Sequence, residues 1–266
     1  MRKVRKRIAI GLQDESDILR EYKTFINCHN IIWLPKLNKI LPMKKNIKIL
    51  LLIAGASIIQ FLTCGLNAQP GAAGSAIDEK VRKFLNDRSR RWYDMNVPAV
   101  DGQLLYDLII KGNYKSALEI GTSTGHSGIW IAWALSKTGG KLITIEIDEQ
   151  RHKEALANFR EAGLSDYIDA RLGDAHKIVK ELKGPFDFVF SDADKDWYLN
   201  YFIDVDPKLK VGGCFTAHNI SERGRGYGGY GGQSVFLEYV RSLKNYETTV
   251  NTAGGGVSIS YKKSEK

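Results

Sequence analysis

The chain has 266 residues, with 39 Lys+Arg against 30 Asp+Glu and a formal charge of +9. That basicity is not spread evenly: residues 1–48 hold 12 Lys+Arg against 4 Asp+Glu, a net of +8, which leaves +1 for everything after them. A nucleic-acid surface should stay basic within the folded domain, so nucleic acid is set aside as a partner.

Residues 1–42 form a basic extension without clear periodicity. An export signal would begin at Met43: Met43-Lys44-Lys45-Asn46-Ile47-Lys48 is a basic start, residues 49–62 are largely apolar, and Ala68 precedes a cleavage point. The order basic, apolar, small is that of a secretory signal. Residues 43–68 therefore read as a signal peptide, or as a retained membrane anchor, since about 20 residues suffice to span. Both readings place the protein outside the cytoplasm or at a membrane; a non-functional leader would leave it cytoplasmic. Residues 69–76, rich in glycine and alanine, read as a linker.

From 77 to 266 the pattern is that of one α/β domain. Helical spacing covers 77–93 and 99–111. Short apolar runs at 116–120, 141–146, 168–172, 186–190 and 213–217 then alternate with helical stretches at 128–137, 149–162, 175–182 and 197–205. This alternation predicts a mostly parallel sheet with helices on both faces. A hairpin-like pair at 247–250 and 257–261 closes the chain. Two of the three cysteines, Cys28 and Cys64, lie in the leader; Cys214 sits in a predicted strand and reads as a packed core thiol. The low-complexity segment 224–232 reads as a loop, with a lid carrying Tyr227 and Tyr230 as the alternative.

Two strand ends carry candidate chemistry. The strand 116–120 breaks into Gly121-Thr122-Ser123-Thr124-Gly125, and the next strand ends in Glu146. Glycines let the backbone approach a ligand closely, and an acid at that strand tip is placed to accept from ribose hydroxyls. The G-x-x-x-G spacing differs from G-x-G-x-x-G, which favours a nucleoside without a pyrophosphate over a nicotinamide dinucleotide. Asp174 is either a plain helix cap or a further ligand contact. At the end of 186–190, Asp192, Asp194 and Asp196 cluster around Lys195. Side chains there project into the crevice where open α/β sheets bind ligands. His126 and His176 carry no ligand spacing and read as packing or surface residues.

The stretch Leu118-Glu119-Ile120-Gly121-Thr122-Ser123-Thr124-Gly125-His126-Ser127 resembles the first motif of S-adenosylmethionine-dependent methyltransferases. Asp192-Ala193-Asp194-Lys195-Asp196-Trp197-Tyr198-Leu199-Asn200-Tyr201 resembles the metal-site segment of the caffeoyl-CoA and catechol O-methyltransferase family. Residues 95–105 resemble that family's helix entry, and 254–262 its closing strand. The resemblance implies a class I methyltransferase (Rossmann-like) fold: a mostly parallel seven-stranded sheet with a reversed last strand. It implies methyl transfer from S-adenosylmethionine to a hydroxyl of a catechol-like or related small aromatic acceptor. A non-catalytic S-adenosylmethionine-binding protein with a degraded metal site is the alternative.

By the same resemblance Glu119, Gly121, Thr122, Ser127, Glu146, Asp174 and Ala175 are cofactor residues, and Lys195 removes or shields the acceptor proton. Asp192, His218 and Asn219 are the metal candidates, and a homodimer is expected. One departure stands out: His218 occupies a position where the family has aspartate. Magnesium favours anionic oxygen ligands, whereas imidazole suits later transition metals. The expectation is therefore weak magnesium binding, a later transition metal, or no metal requirement.

Overall fold

The computed structural model describes residues 70–89, 92, 95–221 and 231–265, the side chains from Ala76 onward. The leader, 1–42 and 43–68, and most of the glycine-rich segment lie outside the described residues. Among those described, no helix is long and apolar enough to cross a membrane.

Two helices lead into the sheet, α1 (Pro70–Asp87) and α2 (Ala99–Gly112). Then follow β1 (Ser116–Ile120), α3 (His126–Thr138), β2 (Lys141–Glu146), α4 (Glu149–Ala162) and β3 (Ile168–Leu172). The second half contains α5 (Ala175–Glu181), β4 (Phe186–Ser191), α6 (Tyr198–Val205), β5 (Leu209–His218), α7 (Gly232–Ser242), β6 (Tyr246–Asn251) and β7 (Val257–Lys262).

The seven strands run in the order β3-β2-β1-β4-β5-β7-β6. Pairs from β3 through β5 are parallel, and β7 is antiparallel to both β5 and β6. This is the expected seven-stranded, mostly parallel sheet. Neighbouring β1 and β4 send their chains in opposite directions along the sheet, which opens a crevice at their carboxyl ends.

Alternating strand residues feed two cores, because successive side chains point to opposite faces. Val189 of β4 packs with Leu118, Ile120, Phe215 and the aromatic side of α6 and α7, including Tyr198, Phe202 and Phe236. Phe188 and Phe190 pack on the other face with Leu105 and Ile109 of α2 and Ile131 and Leu135 of α3. Both faces being covered explains why β4 reads as a nearly unbroken apolar run. Each fully buried Phe or Leu contributes about 1.5–3 kcal/mol.

The differences from expectation have local causes. The presumed linker 69–76 is helical from Pro70 onward. Proline is tolerated in a first helical turn and alanine is the best helix former, so a stretch of small residues extends a helix here. The helix expected to reach 93 ends at Asp87. The segment before α6 is a short 3-10 turn, Lys195–Trp197. Helix α7 has no counterpart in the sequence reading, although Phe236, Leu237 and Val240 repeat at helical spacing and are buried. Cys214 is a buried free thiol of the core, and burial raises its pKa.

Candidate active site

The loop after β1 owes its path to Gly121 and Gly125, both at positive φ (97° and 95°). A Cβ on Gly121 would come within 2.8 Å of the Ala193 Cβ. Only glycine lets the β1 and β4 loops approach this closely at the switch point. Gly121 and Thr122 donate their backbone N–H groups to the Ile145 carbonyl, both at 3.1 Å.

Beneath the loop lies a buried polar chain. The Thr122 and Thr144 hydroxyls lie 2.5 Å apart, and Thr144 Oγ1 donates to Glu119 Oε2 at 2.6 Å. Glu119 is wholly buried and its Oε1 has no partner. Burial pushes its carboxyl up to about 8, although hydrogen bonds with Ser127 and Thr144 pull the other way. Ser127, at the first turn of α3, is nearly buried beside it.

Glu146 ends β2 with both oxygens turned to main-chain amides. Oε2 accepts from Ser123 N at 2.7 Å, while Oε1 accepts from Ile147 N at 3.1 Å and Asp148 N at 3.0 Å. It thus ties the β1 loop to the β2 tip. At the β3 tip Asp174 caps α5, accepting from His176 N at 2.9 Å, and Ala175 begins that helix. His176 turns toward the β4 loop, with Nε2 2.8 Å from Asp194 Oδ2 and its ring stacked on Trp197 at 4.2 Å. His126 instead is a packing residue: buried, stacked on Trp92 at 4.6 Å, with Nδ1 2.9 Å from the Val97 carbonyl. Burial lowers its pKa to about 4, so it is neutral.

The other side of the crevice is built on β4 and β5. Parallel pairing sets Ser191 opposite Ala217, and this brings Asp192 and His218 together just beyond it. Lys195 Nζ contacts Asp192 Oδ1, approaches the Asp192 carbonyl at 3.2 Å, and donates to the Tyr198 hydroxyl at 2.9 Å. Tyr198 in turn donates to the His218 carbonyl at 3.1 Å.

His218 lies between two acids. Its Nδ1 is 3.2 Å from Asp192 Oδ2, and its Nε2 is 3.0 Å from Asp101 Oδ2. Burial alone would lower the imidazole pKa, but the bonds with Asp101 and Asp192 push it up to about 9. Asp101, in the first turn of α2, is buried and also accepts from Gly255 N at 2.7 Å. Asn219 follows at φ 56° and is half-buried.

The structure thus gathers Gly121, Thr122, Glu146, Asp174 and Ala175 around one rim, and Asp192, Lys195 and His218 around the other. Glu119 and Ser127 lie below the first rim. Asp101 and Tyr198 were missed as site residues. Asp101 stands within the residues that resemble the family's helix entry, but its partner His218 is far along the chain, and spacing does not announce such a pair. A separate cavity of about 610 Å³ opens between α1 and α3, lined among others by Arg82, Trp92, His126, Trp130 and Trp133; it is not where the strand ends converge.

Both Asp192 oxygens face cationic side chains, and both His218 nitrogens face carboxylates. Among the described residues, no group of three or more His, Cys, Asp or Glu is arranged to hold a metal ion. The donor set does not fit the oxygen-rich shell that magnesium or calcium requires.

A family profile described as O-methyltransferase matches residues 71–226. Caffeoyl-CoA O-methyltransferase 1 of Eucalyptus globulus is 38% identical over 133 residues, covering 48% of this chain and 54% of that protein. The Medicago sativa caffeoyl-CoA enzyme is 35% identical over 134 residues, covering 48% and 54%. The chain thus spans about half the length of these curated relatives. Among solved structures, the O-methyltransferase TomG of Streptomyces achromogenes, in complex with SAM, superposes with a TM-score of 0.58 at 29% identity. That superposition covers 70% of this chain and 90% of that one. A Bacillus cereus O-methyltransferase in complex with SAH gives a TM-score of 0.60 at 23% identity, covering 78% and 97%, and shows likeness of fold. On the match of 71–226 and this fold, the chain belongs to the O-methyltransferase family.

Proposed function

We propose that this protein transfers a methyl group from S-adenosylmethionine to a hydroxyl of a catechol-like or related small aromatic acceptor. The observation that carries the reading is the close approach of the Gly121 loop, tied to Glu146, to the β4 loop that bears Lys195. S-adenosylmethionine, when bound, supplies an electrophilic methyl group on a sulfonium. Glu146 would hold its ribose. A carboxylate has about four lone-pair sites, and three backbone N–H groups already point at this one. It keeps room for one more strong bond. Asp174 and Ala175 border the adenine side, and Gly121 and Thr122 the opposite end.

Lys195 acts on the acceptor. Its amine lies at the crevice, a third exposed, held in place by Asp192 and Tyr198. There it takes the hydroxyl proton as a neutral amine, or as the ammonium paired with Asp192 it holds a phenolate whose proton has gone to solvent, while the oxygen–carbon bond forms and the sulfur–carbon bond breaks. Placing oxygen and methyl in line supplies much of the rate, as expected when two reactants are fixed in one site.

Calorimetry with S-adenosylhomocysteine and with NAD, followed by a screen of catechols with product mass detection, tests this reading. The expected result is binding of the first compound only and an acceptor one methyl group heavier. Tight binding with no methylated product from any vicinal diol would leave a binding protein; preference for NAD would overturn the cofactor assignment.

A further inference from the structure

The Asp192 end of the crevice carries more than the family match conveys. Its charges are already matched: two carboxylates, Asp101 and Asp192, face one ammonium, Lys195, and the imidazole of His218. Neutral imidazole has one donor nitrogen and one acceptor nitrogen. Here each nitrogen faces a carboxylate oxygen, which can only accept, at 3.0 and 3.2 Å. Both ring nitrogens are thus engaged, and neither is left turned to an open ligand position. The pair is shielded: the His218 side chain is 6% exposed and that of Asp101 1%.

The surroundings are shaped to this arrangement. A Cβ on Gly254 would stand 2.2 Å from Asp101 Oδ1, and one on Gly255 would stand 2.6 Å from His218 Nε2. The antiparallel pairing of His218 with Val257 brings that glycine turn over the ring. Gly255 N adds its own bond to Asp101. Bare glycine backbone presses where a larger residue would part the acid from the imidazole.

We propose that the His218 ring, clamped between Asp101 and Asp192, takes the place of a divalent cation, so that methyl transfer by this protein needs no metal. The proposal rests on the methyltransferase reading above. His218 is a positioning residue. Its ring holds one oxygen of Asp192, and the other oxygen holds Lys195 at the acceptor. Asp101 fixes the opposite edge of the ring in a buried site. A divalent ion would have to break the ring contacts and the Asp192–Lys195 pair before it found two ligands.

Two measurements on the full-length protein test this, and the first does not depend on finding the acceptor. Calorimetry with magnesium, manganese or zinc chloride should show no binding below millimolar concentration. Micromolar binding of any of these ions that is lost in His218→Ala would overturn the proposal. Turnover in excess chelator should stay within about twofold of turnover with magnesium; loss restored by metal would also overturn it.

The variant His218→Asp should gain the dependence that the wild type lacks, at least tenfold higher turnover with magnesium than in chelator. A folded variant indifferent to both would show that the ring does not stand in for a cation. If that variant fails to fold, the wild-type measurements still decide. Failure of S-adenosylhomocysteine to bind would instead strike the methyltransferase reading and leave the metal-binding result standing.

Discussion

The two rims of the crevice hold their acids in different ways. On the proposed cofactor rim, Glu146 and Asp174 are fixed by main-chain N–H groups from residues nearby or in the adjoining loop. On the proposed acceptor rim, Asp192 and Asp101 are fixed chiefly by side chains, Lys195 and His218. An acid held by backbone is placed by the strand–loop–helix path itself. An acid held by a side chain depends on one partner, and removing that partner leaves a buried charge behind, which costs several kcal/mol. The acceptor rim should therefore be the more sensitive to single substitutions.

The largest contrast is expected at Lys195. Lys195→Ala should fold and bind S-adenosylhomocysteine normally yet lose about 10²–10⁴-fold in turnover, the usual range for a proton-transfer group. Near-normal turnover at neutral pH would move proton handling to solvent and erase the distinction between the rims.

On the other rim, Glu146→Ala should weaken S-adenosylhomocysteine binding while turnover at saturation falls less. Loss of one charge-assisted hydrogen bond costs about 1.5–3 kcal/mol, or ~10–150-fold in affinity. Titration calorimetry on the folded variant reads this directly, and an unchanged dissociation constant would sink the ribose assignment.

Gly255→Ala probes the clamp without touching its charges. The added methyl would meet His218 Nε2 at 2.6 Å, and such overpacking costs about 1–3 kcal/mol. Denaturant unfolding should show the loss; Gly255 is not held at positive φ, so overpacking and not backbone strain carries it.

A further effect, on stability alone, concerns the buried acid under the loop after β1. Glu119 has its pKa raised from 4.5 to about 8, chiefly by burial. The folded state thus binds a proton that the unfolded state has released between those pH values, and stability falls as pH rises through that window. The slope is about 1.4 kcal/mol per pH unit at most. Glu119→Gln keeps the shape and removes the titration, so its unfolding free energy should decline less between pH 5 and 8. An identical decline in both proteins would show that other groups carry it.

Much of this was legible beforehand for a physical reason. The strands β1 to β4 are short apolar runs with sharp ends, and the loop glycines, Glu146, Asp174, Asp192 and Lys195 all sit at those ends. A residue at a strand tip is placed by local sequence, so a linear reading can find it. Helix α7 escaped because it follows a glycine-rich stretch that reads as loop, and the supposed linker hid a helix because small residues serve both purposes.

The sequence by itself determined the alternation of strands and helices, the family, and the residues at each strand end. It also showed that histidine stands where the family carries aspartate. Only the tertiary structure decided which side chains that histidine meets. Asp101 and His218 are 117 residues apart, brought together because α2 packs on the sheet beside the end of β5 and because the glycine turn before β7 leaves room. No period or spacing encodes a contact made across two separate elements; the packing of their faces does.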